Sequence, residues 1–321
     1  MAATILLVDA DLSNCTDWQA VLQDHGYKVF AAGNGSSAIA RCPQLQPDLV
    51  LLQASLPDMQ GLEVCRRLKN DSRNHLTPVI MMAPDAMDCD ATLAREAGAD
   101  DFWGHPSSLW EALSRVLSIL HLKSYIDEQA ESVVLSLARS IEARDPSTDG
   151  HCSRLSDYAG LLGKSLGLHQ DDLESLCLAG LLHDVGKVAV PDAILFKPSR
   201  LSREESDVMK QHPAVGENIC APLKSLRSVL PIIRHHHERM DGTGYPDGLR
   251  GENIPLNARI IHVVDVYDAL TTDRPYRKEL SRECAASIML EEAGQGWLDP
   301  SLVNQFLSIS SDLPRSVTVR H

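Results

Sequence analysis

The chain has 321 residues, 44% of them apolar, and a formal net charge of −14. That length can bury more than one core and predicts two domains, while the acidic balance excludes a nonspecific nucleic-acid binder, so no DNA partner is expected. No run of about 18 apolar residues occurs and no basic leader precedes residues 4–8, so neither a membrane partner nor a signal peptide is expected and the predicted location is cytoplasmic.

Apolar runs at residues 4–8, 28–31, 48–52, 78–83 and 101–103 read as strands, and residues 11–24, 61–69 and 91–97 carry helical spacing between them. Strands alternating with helices predict an α/β part built as a doubly wound, five-stranded parallel sheet covered on both faces. From Leu109 the apolar positions Leu113, Val116, Leu117 and Leu120, then Val133, Val134, Leu137 and Ile141, recur at three and four residues, and no Gly or Pro interrupts residues 107–145. Two readings stand open here. One is a single long helix that joins the domains and pairs in a homodimer; the other is the last helix of one domain followed by the first of the next. Beyond Gly150 the pattern is helical over residues 154–166, 171–183, 203–211, 225–236, 255–270 and 282–292, which predicts an all-α second domain. The expected bounds are 1–122 for the first domain, 123–145 for the joining helix, 146–309 for the second domain and 310–321 for a tail. The Gly- and Pro-rich stretch over residues 241–248 marks a tight loop.

The eight cysteines are scattered without a C-x-x-C pair, which argues against a disulfide framework or a thiolate zinc site. Eight of the thirteen histidines fall between His151 and His262, a density that points to metal. The sharpest local signal is Leu182-His183-Asp184-Val185-Gly186-Lys187, where an apolar helix ends in adjacent metal-binding types. An isolated His-Asp pair is more often a solvated helix end. This one is accompanied by His151, His212, His235-His236-His237-Glu238 and, one helical turn apart in an apolar run, Asp265 and Asp268, which can face one cavity. A nitrogen and carboxylate donor set without thiolate suits iron or manganese better than structural zinc.

These motifs, with Ala143-Arg144-Asp145-Pro146, Gly244-Tyr245-Pro246 and the segment from Asp265 to Tyr276, resemble the HD-GYP family of phosphohydrolases over about residues 125–309. The resemblance implies an HD-type fold and hydrolysis of cyclic di-GMP, or a related cyclic dinucleotide, to pGpG and onward to GMP. It implies His151, His183, Asp184, His212, His236, His237 and Asp265 as ligands of two divalent metal ions, with Asp184 as the bridge. His235 falls outside the pattern and reads, with His262, as structural. A glutamate that can help hold a third metal in that family is replaced by Ser147, so two ions are expected.

By the same resemblance Asp184 and Lys187 form the catalytic pair, the ammonium standing near the scissile phosphate. Arg274 and Arg277 match phosphate-holding positions, with surface ion pairing as the bland alternative, and Asp268 is counted with the substrate contacts. Tyr245 offers a flat ring to a guanine, or its loop offers a docking surface to a cyclic di-GMP synthase.

Residues 1–122 resemble a response-regulator receiver in Leu6-Leu7-Val8-Asp9, Asp48-Leu49-Val50-Leu51-Leu52, Leu56-Pro57-Asp58 and Gly98-Ala99-Asp100-Asp101. The reactive positions depart from that pattern. Gln53 stands where the phosphoacceptor aspartate belongs, Ala10 replaces one of an acidic pair beside Asp9, Ala83 replaces a Ser/Thr and His105 a Lys. The expectation is a receiver that docks or dimerises without accepting phosphate. The competing readings for the whole chain are a catalytically weak sensor of cyclic dinucleotides, or docking protein for their synthases, and a nucleotide phosphohydrolase of the wider HD class.

Overall fold

The computed structural model describes residues 3–71, 74–83, 90–104, 109–144, 150–273 and 278–310, apart from the side chains of residues 12–17 and 109. The chain divides into two compact units, Met1–Glu128 and Gln129–His321. Arg274, Arg277, His105, Ser147 and the tail beyond residue 310 lie outside the described residues.

The first unit is the α/β part. Strands β1 (Thr4–Val8), β2 (Lys28–Ala32), β3 (Leu49–Gln53), β4 (Val79–Met82) and β5 (Asp101–Trp103) form one parallel sheet in the order β2-β1-β3-β4-β5. Alternation along each strand sends Leu6, Val8, Val50, Leu52 and Met81 to one face and Ile5, Leu7, Leu49, Leu51 and Ile80 to the other. Both faces are buried, which is why the strands read as unbroken apolar runs. Helices α1 (Leu12–Asp24), α2 (Gly35–Leu45), α3 (Gly61–Asn70) and α4 (Ala91–Glu96) connect the strands. Helix α2 escaped the sequence reading because Gly35, two serines and Pro43 weaken its helical signature.

Residues 109–144 are one helix, α5 (Leu109–Arg144). Its start, through Ala112, Leu113, Val116 and Leu120, belongs to the core of the first unit, and its end, through Ala138 and Ile141, belongs to the core of the second.

The second unit is helical: α6 (His151–Ser165), α7 (Gln170–Leu182), α8 (Asp192–Leu195), α9 (Arg203–Met209), α10 (His212–Cys220), α11 (Leu230–His235), α12 (Leu256–Thr271), α13 (Arg282–Gly294) and α14 (Pro300–Ser310). The segment expected as one helix over 225–236 is a 3₁₀ turn, Lys224–Val229, followed by α11. Pro231 lacks an N–H and suits the first turn of a helix, so the α-helix starts there. Helix α12 is nearly surrounded, with Ala258, Ile260, Ile261, Val263, Val264 and Tyr267 all buried, so the carboxylates it carries must find partners inside the unit. Among the described residues no helix is long and apolar enough to cross a membrane.

Candidate metal centre

Breaks in the helices aim the side chains. Helix α7 stops at Leu182, His183 caps it, and Asp184 turns into a 3₁₀ segment, Val185–Ala189, so the two residues are freed from the divergence of a continuous helix. Gly186 makes this turn fit: a Cβ there would lie 1.9 Å from the His212 carbonyl oxygen and 2.6 Å from the Gly216 nitrogen. The missing side chain thus brings the His183–Asp184 turn against the start of α10, where His212 is the first helical residue. Helix α11 ends at His235, leaving His236 and His237 to fan out beyond it. From α6 comes His151, its first residue, and from α12 comes Asp265.

The seven residues expected as ligands fall into two groups. Asp184, His212, His236 and His237 offer donor atoms within 4.8 Å of one another, and so do His151, His183 and Asp265. Asp184 touches both: Oδ1 lies 3.2 Å from His212 Nε2 and Oδ2 lies 3.3 Å from His183 Nε2. Closeness here is not hydrogen bonding, since His183 Nε2 and Asp184 Oδ1 are buried with no hydrogen-bond partner. His212 Nε2 and His236 Nε2 face each other at 3.4 Å. Buried donors converging without satisfying one another fit a set of divalent cations, and the absence of thiolate among them suits a hard or borderline ion.

The opposite ring edges are anchored. His183 Nδ1 donates to Gly180 O (3.1 Å), His212 Nδ1 to Met209 O (2.9 Å) and His236 Nδ1 to Ile233 O (2.7 Å), which leaves each Nε2 lone pair aimed inward. Burial, reinforced by His183 and His212, holds His236 well below the ordinary histidine range, and burial beside His236 and His212 does the same for His237. Both are therefore neutral and able to coordinate at neutral pH. Burial raises the Asp184 carboxyl, but the Lys187 ammonium, 2.5 Å from Oδ2, and His183 outweigh it and hold the group well below the usual carboxylate range.

Asp268, expected as a substrate contact, sits behind His151. It is 2% exposed, and both oxygens are taken: Oδ2 by His151 Nδ1 (2.7 Å) and Arg154 Nη2 (3.0 Å), Oδ1 by Arg154 Nε (2.5 Å). Burial raises its carboxyl, yet the hydrogen bonds from His151 and Arg154 prevail and keep it ionised. Arg154 was missed in the sequence reading, although its place one turn beyond His151 puts both on one helix face. His235 lies outside both groups, with Nε2 2.9 Å from Asp247 Oδ2 and Nδ1 2.9 Å from Pro231 O, two acceptors.

The loop after α11 is shaped from behind. Glu238, also missed, is buried and accepts from the main chain of Asp247 (2.7 Å) and Leu249 (3.1 Å), and Arg234 clamps Asp247 with two bonds of 2.7 and 2.8 Å. A Cβ on Gly244 would meet Arg239 N at 2.4 Å and Glu238 Cα at 2.5 Å, so only glycine permits this approach. The Tyr245 ring consequently lies against His237, centroids 4.8 Å apart at 35°, with Lys210 Nζ 5.7 Å from its centre. A pocket beside Asp184 and Lys187 is lined by Ile141, Glu142, Cys152 and Leu181 as well.

In the first unit, register sets Val8 beside Leu52, so Asp9 and Gln53 emerge together at the carboxyl ends of adjacent strands. With its amide nitrogen turned toward Asp9, Gln53 donates to both carboxylate oxygens, at 2.8 Å to Oδ2. Asp9 Oδ1 also accepts from Asp11 N at 2.9 Å, and Ala83 is buried, offering no hydroxyl.

The HD-domain family matches residues 136–302 and the response-regulator receiver family residues 5–116. A cyclic di-GMP phosphodiesterase response regulator, RpfG, of Xanthomonas campestris pv. campestris is 33% identical over 96% of this chain and 88% of its own length. A probable cyclic di-GMP phosphodiesterase of Vibrio cholerae is 33% identical over 95% of this chain and 77% of its own. A 3′3′-cGAMP-specific phosphodiesterase of Vibrio cholerae is 38% identical over 51% of this chain and 36% of its own.

Proposed function

We propose, from the premise that this chain belongs to the HD-domain response regulators, that it is a metal-dependent phosphodiesterase opening cyclic di-GMP to linear pGpG, and onward to GMP. The observation that carries the reading is the pair of donor clusters, one holding Asp184 and the other reached by it at His183, with Lys187 on the same carboxylate. Two divalent ions, iron or manganese, supply Lewis acidity and the means to lower the pKa of water when bound. The protein's part is to hold His151, His183, His212, His236, His237 and Asp265 with their donor atoms converging, and to set Asp184 between the two groups as a bridge. Lys187 donates to a phosphoryl oxygen as negative charge grows on it. Water oxygen bonds to phosphorus, the ester bond to the 3′ oxygen breaks, and that oxygen leaves with a proton. Tyr245, pressed on His237, and Lys210 above its ring form the rim that meets a base or the second phosphate, and Arg274 and Arg277 serve the phosphates. The similarity to a relative named for 3′3′-cGAMP makes that dinucleotide the competing substrate.

The N-terminal receiver, in this reading, takes no phosphoryl group, because an amide at Gln53 cannot form an acyl phosphate and Ala10 and Ala83 remove the metal and hydroxyl contacts. It works in a dimer paired along α5, whose Leu122, Tyr125, Ile126 and Val133 are exposed. The Gly244-Tyr245-Pro246 loop is the docking surface for a cyclic di-GMP synthase.

The test is turnover of cyclic di-GMP, 3′3′-cGAMP and pGpG by full-length protein purified without oxygen, with metal content measured on the same sample. Product that disappears in Asp184→Ala supports the reading. Tight nucleotide binding without product replaces it with a sensor.

A further inference from the structure

His183, His212 and His236 each donate Nδ1–H to a carbonyl three residues earlier on the main chain. His151 differs. It is the first residue of α6, preceded by Gly150 at φ +68°. Its Nδ1 meets a carboxylate from α12 instead, Asp268 Oδ2 at 2.7 Å. Arg154, one turn along α6, closes on both Asp268 oxygens and reaches Thr272 Oγ1 at 3.4 Å.

We propose that Asp268 and Arg154 are positioning residues that fix His151 as the Nδ1–H tautomer, with its Nε2 lone pair directed at the His183–Asp265 group, and so set the cation affinity of that group alone. The inference rests on the metal-dependent reading above. An ionised carboxylate is acceptor-only, so the shared hydrogen must sit on the imidazole. A guanidinium paired through two nitrogens donates to both Asp268 oxygens and holds the carboxylate against His151 as an acceptor. The anion also makes the ring a stronger donor than a carbonyl partner does, which distinguishes His151 from the three histidines that use main chain. The other group, Asp184, His212, His236 and His237, has no such external carboxylate among the described contacts. An asparagine at 268 would keep the shape but could present its NH₂ to Nδ1 and stabilise the wrong tautomer.

The experiment loads metal-free, full-length protein with Mn²⁺ and measures affinity and bound ions per chain for wild type and Asp268→Asn, alongside the melting temperature of each metal-free form. The expected result is a loss of about 10–100-fold in affinity for one ion, the other being held as in wild type, with melting unchanged. Equal loading of both proteins, or parallel loss of both ions, overturns the proposal. Should Asp268→Asn fail to fold, the ¹⁵N signals of His151 in metal-free wild type, assigned through His151→Gln, decide: Nδ1–H supports the proposal and Nε2–H defeats it. Wild type that takes up no Mn²⁺ defeats the metal-dependent reading itself, whereas wild type that loads and a variant that loads identically defeats this inference alone.

Discussion

Each unit places acidic residues where backbone geometry favours chemistry, and the two differ in what surrounds them. In the first, Asp9 stands at the switch point of a parallel sheet, but its neighbour across the register is an amide that hydrogen-bonds to it. In the second, Asp184 stands at a helix break among imidazoles, three of them tied to main-chain carbonyls by Nδ1, and its Oδ1 and His183 Nε2 are buried with no hydrogen-bond partner. A carboxylate with both oxygens bonded is structure, and one with a buried oxygen left open among pre-aimed donors is a candidate site. In the first unit the five-stranded sheet carries Gln53 against Asp9 and a buried Ala83 at its strand ends.

The largest effect expected from this contrast is at Asp184. Asp184→Ala removes the carboxylate that lies between His212 of one cluster and His183 of the other, and turnover should fall on the order of 10³-fold or more, with bound metal lost in parallel. The equivalent change in the first unit, Gln53→Ala, should leave the turnover rate unaltered under the same assay; a comparable loss there would break the contrast. Next comes Lys187→Ala, with kcat down on the order of 10²-fold and metal content retained, because the ammonium serves developing charge and not coordination. If Lys187→Ala empties the site instead, its role is to stabilise Asp184 as an anion.

The same contrast explains what could be read from sequence. Five strands and most helices were legible, since period-2 and period-3.6 patterns report burial directly. The seven clustered donors were legible as residue types, because imidazoles and carboxylates inside apolar runs need a reason. Their partition into two groups was not, for it depends on Gly186 letting α10 approach the His183–Asp184 turn. The partners of Asp268 were hidden for a related reason: its spacing from Asp265 places it on one helix face, but only the arrival of His151 and Arg154 from α6, 117 and 114 residues away in sequence, shows what its oxygens bond. Helix α10 went unseen because a histidine followed by proline reads as a loop until packing makes it a helix start.

Gly186→Ala tests that packing step. A methyl placed 1.9 Å from a main-chain oxygen has no side chain to push aside, so α10 must move. A cost of about 1–3 kcal/mol is expected from overpacking, read as a lower melting transition of the helical unit. Metal content should fall with it, since His212 travels with α10. A variant that melts lower yet loads metal normally would show that the two clusters tolerate displacement better than their geometry implies.

The smallest effect belongs to Gln53→Ala measured by stability. Removing the amide leaves Asp9, 5% exposed, with the Asp11 N–H as its one described donor, and should cost the first unit about 1–3 kcal/mol at neutral pH. The pH dependence has a definite sign. Hydrogen bonds from Gln53 favour the ionised carboxylate, so the Asp9 pKa is higher in the variant than in the parent, where burial has already raised it above its ordinary value. The variant's folded state therefore binds its proton at higher pH, and the difference in stability shrinks as pH falls and Asp9 becomes neutral in both proteins. Calorimetry of the two full-length chains across the acid range reads this as melting curves that converge downward in pH. Curves that stay parallel would mean that Gln53 stabilises the strand ends by packing and that Asp9 is held by the main chain alone.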